Sequence, residues 1–506
     1  MKCSILTCIA AITLFAALAI PLRLAAEDKR NHHQHHHYQF IDLGTFGGPQ
    51  SRNDGIEPAL TNEGIVIGMA DTNTPDPFYP NFNPLILPGG ASDPYIFHAF
   101  QWKDGRLVDL GSLPGGYSAF PSGISKNGLI AGQAINGALD PILGCPEENA
   151  VFWQDGQITN LGTLGGYESG AGMVNSHGQV TGFSGNAIPD PYSLASLGTQ
   201  TRAFVWDKTN GMQDIGTLGG PDAFSPFINE RGEIAGFSYT SNMAVDPFLW
   251  EPPTERHPNG KMIDLGSLGG TFGAEGDGIA LNDRGQVVGF SNLAGDVYFH
   301  PFLWTKPGPM RDLGTFGGPT GTANAINEAG EVVGYADLPA SATASTDAFL
   351  WQKGKMRDLG VLAGGCVSSA SGINAKTQVV GASFPCDGGL PHAFLWEYGG
   401  PMVDLNDLVS GADMVLTGSQ SINDRGEITS GLGILPNGDF HVYLLIPCDE
   451  HHPSVEGCDY SIVEAPAAVT QSSPTVGNAS SRTLPQSPMR RMNRYHFPGA
   501  TRGPRN

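Results

Sequence analysis

The sequence predicts an all-β protein, an eight-bladed β-propeller of four-stranded antiparallel blades closed by its own N-terminal strand. Three observations carry this. An Asp-Leu-Gly-type mark recurs at Asp42, Asp109, Asn160, Asp214, Asp264, Asp312, Asp358 and Asp404, with successive spacings of 67, 51, 54, 50, 48, 46 and 46 residues. Between marks, a tight turn and an aromatic strand return in fixed order. No long amphipathic helical pattern follows residue 26, while Gly 70 and Pro 38 in 506 residues suit many short strands joined by turns.

Each unit reads as four strands. The first ends at a turn opened by Thr61, Ser125, Asn175, Asn229, Asn282, Asn327, Asn374 or Asn423. Three residues later stands Gly64, Gly128, Gly178, Gly232, Gly285, Gly330, Thr377 or Gly426. The openers fold a side-chain oxygen back onto the backbone, and Gly supplies φ > 0. A β-rich run such as Gln286-Val287-Val288-Gly289-Phe290 follows as the second strand. The third carries Phe100/Trp102, Val151/Trp153, Phe204/Trp206, Phe248/Trp250, Phe302/Trp304, Phe349/Trp351 and Phe394/Trp396, with Leu445 in the Trp place of the last copy. Residues two apart on a strand share a face, so these rings read as a packing stripe rather than a sugar-stacking platform. The fourth strand ends in the Asp-Leu-Gly mark. Four strands per 46–50 residues is the dimension of a propeller blade, and a ring removes the edges that an open stack exposes. The chain enters on a fourth-type strand at 38–44 and leaves after a third-type strand at 440–447. Pairing these two completes the last blade; capped ends of an open solenoid would show the same break.

Outside the repeats, residues 1–26 have the form of a secretory signal peptide, with an apolar run from Ile5 to Ile20. Residues 27–37 read as a disordered His-rich arm in which His32, His33, His35, His36 and His37 are weak metal candidates without a fixed spacing. The propeller spans 38–447, and 448–506 reads as a disordered tail rich in Pro, Ser and Arg. Export leaves five cysteines, of which Cys366 with Cys386 and Cys448 with Cys458 are close enough to pair, with Cys145 left over. The formal charge is −22, and ten of the 27 basic residues lie in the first 30 residues or the tail. Such an acidic body repels nucleic acid and anionic lipid. No cofactor is predicted, a divalent cation being the one the acidic balance leaves open, and the mature chain is expected to be a monomer without a membrane span.

The marks D-L-G-x-L-G-G, I-N-x-x-G-x-V-V-G and H-A-F-L-W resemble the HAF-type extracellular repeat of secreted bacterial proteins. Asp358-Leu359-Gly360, Ile373-Asn374, Val379-Val380-Gly381 and His392-Ala393-Phe394-Leu395-Trp396 carry the resemblance best. It implies export (extracellular, periplasmic or cell surface) and a β-rich repeat body, and it brings no catalytic residues.

Two features bear on function. The residues opening the third strands, His98, Asn149, Arg202, Asp246, His300, Asp347, His392 and His441, vary too much for one shared metal site. The recurrent Asp reads as a turn residue, with a cation-lined channel as the alternative. The link between second and third strands is long in the first three units, building a raised sector that contains Asp71, Asp76, Phe78, Tyr79, Phe82, Asp93, Tyr95, Asp140, Asp190 and Tyr192. Acids with exposed aromatics suit a glycan or a cationic peptide, and binding residues concentrate on such links. The expectation is a secreted binding or cell-surface interaction module. The alternative is a polysaccharide hydrolase or lyase, which needs two non-repeating carboxylates facing each other about 5–10 Å apart.

Overall fold

In the computed structural model, the described residues are 34–53, 58–79, 93–273, 279–339, 346–397, 399–453 and 455–464. Residues 1–26, His32, His33, Phe82 and everything beyond 464 lie outside them.

The architecture is all-β, with one short 3-10 turn, Leu405–Asp407, among the described residues. Strands group into four-stranded antiparallel units in chain order. The second unit is representative: Ala119–Ile124, Ile130–Leu139, Pro146–Gln154 and Gln157–Gly162 form one meander. Equivalent units occupy 47–109 (first), 165–214 (third), 219–264 (fourth), 269–312 (fifth), 321–360 (sixth) and 365–404 (seventh). Parallel bridges Val245↔Phe272 and Thr346↔Val367 join the fourth unit to the fifth and the sixth to the seventh. In the final unit, the four strands between 415 and 447 form a five-stranded sheet with Tyr38–Asp42 at its edge. Tyr38 pairs with Pro447, Phe40 with Leu445 and Asp42 with Tyr443.

The aromatic strands explain why the units stack. Phe204 and Trp206 of the third unit pack on Ala131, Ala150 and Phe152 of the second. Phe349 and Trp351 of the sixth pack on Val288 and Leu303 of the fifth. Each third strand thus presents Phe-x-Trp to one neighbour and the alternate residues to the other, as period two requires. The same interface joins the ends of the chain, where Phe100 and Trp102 of the first unit pack on Val442 and Leu444 of the last. In the last unit Tyr443 and Leu445 take the Phe and Trp places, both fully buried, and the Tyr443 hydroxyl donates to Gly418 O at 2.7 Å. The recurrent Val-Val-Gly has a steric cause: at Gly236 a Cβ would come within 2.1 Å of Phe224 O and 2.8 Å of the Phe248 ring.

The Asn turn does more than the sequence reading asked of it. Asn282 Oδ1 accepts from Arg284 N and Gln286 N, the expected turn. Its Nδ2 donates to Gln286 Oε1 and, across the interface, to Asn327 O at 3.0 Å. This inter-unit bond runs from Asn175 to Asn229, Asn282, Asn327, Asn374 and Asn423, and from Asn423 to Thr61 O at 2.9 Å.

Two terminal expectations need correction. Gln34–His36 is a strand paired with Ile462–Glu464, so the arm is not solvated over its last residues and the tail is ordered to 464 where described. His35 is buried, with Nδ1 2.9 Å from Glu397 Oε1, and His452 is buried between Asp449 and Glu427. Both carboxylates belong to the turn ends of the last two units, so the segments around His35 and His452 dock against those turns. The disulfides Cys366–Cys386 and Cys448–Cys458 form as the spacing allowed, and Cys145 is a buried free thiol.

Candidate functional site

The long links of the first three units share a design. Their flanking second strands, Val66–Pro75, Ile130–Leu139 and Val180–Pro189, run ten residues, against seven in Ile234–Thr240. Each then enters an Asp-Pro step whose carboxylate closes a turn. Asp76 Oδ1 accepts from Phe78 N at 2.7 Å, Asp140 Oδ1 from Ile142 N at 2.6 Å, and Asp190 Oδ1 from Tyr192 N at 2.9 Å. Three residues singled out as ligand candidates are therefore equivalent turn closers.

This changes the chemistry expected of the sector. Asp71, Asp76, Asp93 and Asp140 are buried, not displayed. Asp71 accepts from Gln50 N, and burial followed by the neighbouring Asp93 carboxylate pushes it up to about 8. Asp93 closes a turn to Tyr95 N. Phe78 is half-buried and stacked on Tyr117, centroids 5.5 Å apart, and Tyr95 is half-buried. What faces outward is apolar: Tyr79 is 51% exposed and Tyr192 87%, with Leu139, Ile142 and Ile188 exposed beside them. Of the candidate residues, four acids are thus turned inward and two aromatics, Tyr79 and Tyr192, are displayed, because a short Asp at a Pro step does more for the backbone than for solvent.

The variable third-strand openers and the recurrent Asp meet each other. His98 Nδ1 lies 2.8 Å from Asp109, His300 3.0 Å from Asp312, His392 2.5 Å from Asp404 and His441 2.9 Å from Asp42. Arg202 holds Asp214 through two nitrogens, and Asn160 donates to Asn149. Asp246 and Asp347 instead face Asp264 and Asp358; burial and then that second carboxylate push Asp246 up to about 6 and Asp347 to about 7. The recurrent Asp is still a turn residue: Asp109 Oδ1 accepts from Gly111 N and Asp312 Oδ1 from Gly314 N, each at 2.7 Å. One oxygen closes the turn while the other holds the strand opposite.

At the other end of the units, the residue after each turn opener forms a belt. Glu230 N donates to Asp283 Oδ1, Asp283 N to Glu328 Oε1 and Ala375 N to Asp424 Oδ1. Lys126 crosses from the second unit to the fifth, its Nζ 2.6 Å from Asp283 Oδ2. These carboxylates are repeat-equivalent and engaged with backbone donors, which weighs against a glycosidase pair there. Beside them, a cavity of 430 Å³ is lined by His36, Lys376, Glu397, Arg425, Asp449 and His451 among others, charges of both signs. Among the described residues no three His, Cys, Asp or Glu side chains are gathered as a metal centre, and His35 Nδ1 faces Glu397. No helix there is long and apolar enough to cross a membrane.

Sequence reasoning passed over Glu148, Glu168, Asp222 and Gln133, all buried between units under the long links. Asp222 accepts from Leu194 N and Thr201 N at 2.8 Å, anchoring the third link to the fourth unit. The signal was available: Glu168 and Asp222 are acidic at a first-strand position held by Ser118 in the second unit.

No protein-family model matches the chain, and no curated protein sequence does. Among solved structures it is similar to the Pyrococcus horikoshii acylaminoacyl peptidase (13% identity, 66% of this chain and 53% of the peptidase, TM-score 0.38). It is also similar to TolB from Acinetobacter baumannii (11%, 63% and 79%, 0.30). A third is a Dyadobacter fermentans protein of unknown function (12%, 82% and 98%, 0.30). The chain spans about half the length of the peptidase it matches. All three likenesses fall below a TM-score of 0.5, so they assign this chain neither a family nor an activity.

Proposed function

We propose that the chain is a secreted HAF-type repeat protein, closed as an eight-bladed β-propeller, that serves as a binding module through the long links of its first three blades. Closure is supported by the pairing of Tyr38–Asp42 with the last aromatic strand and by the Phe100/Trp102 interface that repeats between the last unit and the first. Two disulfides fit an oxidising compartment outside the cytoplasm.

The observation that carries the binding reading is the display of Tyr79 and Tyr192, 51% and 87% exposed, on turns locked by Asp76 and Asp190. Rigid aromatic tips beside exposed Leu139, Ile142 and Ile188 form the kind of apolar patch that marks contact with another macromolecule. With Asp71, Asp76, Asp93 and Asp140 buried, the patch favours an apolar-rich peptide or protein surface over a glycan. The test is a peptide and glycan array probed with the exported chain and its Tyr79→Ala/Tyr192→Ala variant. Retained peptide ligands that the variant loses by at least about tenfold support the reading, since one such anchor contributes about 2 kcal/mol or more. Unchanged binding by the variant, or glycan ligands alone, overturns it. An extracellular polysaccharide hydrolase or lyase remains the alternative from sequence.

A further inference from the structure

One interface between units has had its chemistry replaced. Where the first unit meets the second, Met69, Phe97, Phe120 and Ile135 form a buried apolar cluster. Where the third meets the fourth, Phe183 stacks on Phe224 with centroids 4.8 Å apart. Strand registers place Gln133 at the position of Met69 and Phe183, each opposite an Ala of the aromatic strand. In the same alignment Glu148 takes the place of Phe97, and Gly170 that of Phe120 and Phe224. Between the second and third units, then, a carboxylate and an amide stand where their counterparts pack rings.

These groups converge. Gln133 and Glu148 lie on one face of the second unit, since Gln133 pairs with Ala150 and Ile135 with Glu148. Gly170 lets Gln133 close over the third unit: a Cβ there would lie 2.3 Å from the Gln133 amide nitrogen. Glu168, two residues along the same strand and hence on the same face, accepts from Glu148 N at 2.9 Å. Gln133 and Glu148 are both fully buried, and neither side-chain polar atom of Gln133 nor either oxygen of Glu148 has a hydrogen-bond partner.

Such a set is costly as it stands, because a buried ionised carboxylate without a partner loses several kcal/mol of solvation. Burial, then the Glu168 carboxylate, push Glu148 well above the usual range. No ion pair relieves Glu148 among the described residues. We propose that Glu148, Glu168 and Gln133 bind a hard divalent cation of calcium type between the second and third units, beneath the long links. Two carboxylates and an amide oxygen are hard donors in an irregular arrangement, which calcium tolerates and magnesium does not. The nearby Cys145 takes no part in the set. Its buried thiol is a soft donor, which calcium does not favour. The site is independent of what the links bind: it braces them whether or not Tyr79 and Tyr192 meet a partner.

The test is calorimetric titration of the metal-stripped full chain with calcium chloride alone, paired with thermal melting. The wild type takes up one calcium that Glu148→Gln does not, and its melting temperature rises by about 2–4 °C at about 1 mM calcium. Asp347→Asn, which alters a distant carboxylate pair, keeps both responses. The double variant Gln133→Met, Glu148→Phe, which restores the residues of the first unit, folds and ignores calcium. Three results overturn the proposal: no calcium uptake by the wild type, equal uptake by Glu148→Gln, or a calcium-free Glu148→Gln more stable than a wild type that calcium leaves unchanged. The last would identify Glu148 as a protonated acid.

Discussion

Asn282 shows how much one side chain does in each repeat. Its oxygen closes its own turn, and its amide reaches both Gln286 and the next unit's Asn327 O. Asn282→Asp keeps the acceptor, removes both donations and sets a carboxylate against two oxygens. We expect a loss of about 1–3 kcal/mol, read from the urea midpoint at constant m; a loss below about 0.5 kcal/mol would contradict the role. The turn was legible in sequence, and a second regularity lay beside it. Every Asn opener is followed four residues later by Gln or Glu, as in Gln179, Glu233 and Gln378, whereas Thr61 and Ser125 are followed by Ile65 and Leu129. Without an amide donor the acceptor has no use. Thr377, the one departure from the turn glycine, holds φ at 63° and donates its hydroxyl to Glu331 of the preceding unit. The inter-unit half of this network was illegible, because a repeat pattern gives the order of units but not which carbonyl meets which amide.

At the scale of the strand pair, the third and fourth strands are tied by the pairs at their loop ends. The Asp109 and Asp42 hydrogen bonds raise His98 and His441 above the ordinary 6.5, against burial. Their contribution is full below about pH 6.5 and is lost as pH rises through the folded values. Asp42 and Asp109 are lowered from 3.8, for although burial opposes it, the His partners and the glycine N–H groups prevail. Their contribution is present above that value and lost as pH falls through the folded one. Asp246, Asp347 and Asp71, raised to about 6, 7 and 8, contribute below 3.8 and lose stability progressively as pH climbs to those values. The first two sets are both fully present between about pH 4 and 6, while the third falls through that window, so stability declines as pH rises from about 4 toward 8. Melting temperatures should be higher at pH 5 than at pH 8; a steady rise to pH 8 would contradict the pairing. Both members of each pair were visible in sequence but not their meeting, since the His and the Asp lie 11 or 12 residues apart across a hairpin in three units and at opposite ends of the repeat region in a fourth. The inward turn of the loop acids was illegible for a related reason: an Asp-Pro step looks alike in sequence whether its carboxylate faces solvent or its own backbone.

For the whole molecule, the order of strands and the packing of Phe-x-Trp between units were readable from period and spacing, because burial of rings repeats wherever the backbone repeats. The docking outside the repeats was not: His35 and His452 dock on Glu397 and Glu427, and no repeat announces contacts made once. Everything proposed about one face and one sector depends on the chain closing on itself. Native-state hydrogen exchange followed by mass spectrometry on peptides covering 38–42 and 443–447 tests this most directly. Closure predicts that amides of both segments exchange as slowly as those of the buried second strand Val332–Asp337 and open together with them. Exchange of 38–42 at the rate of a free edge, with 332–337 still protected, would contradict it.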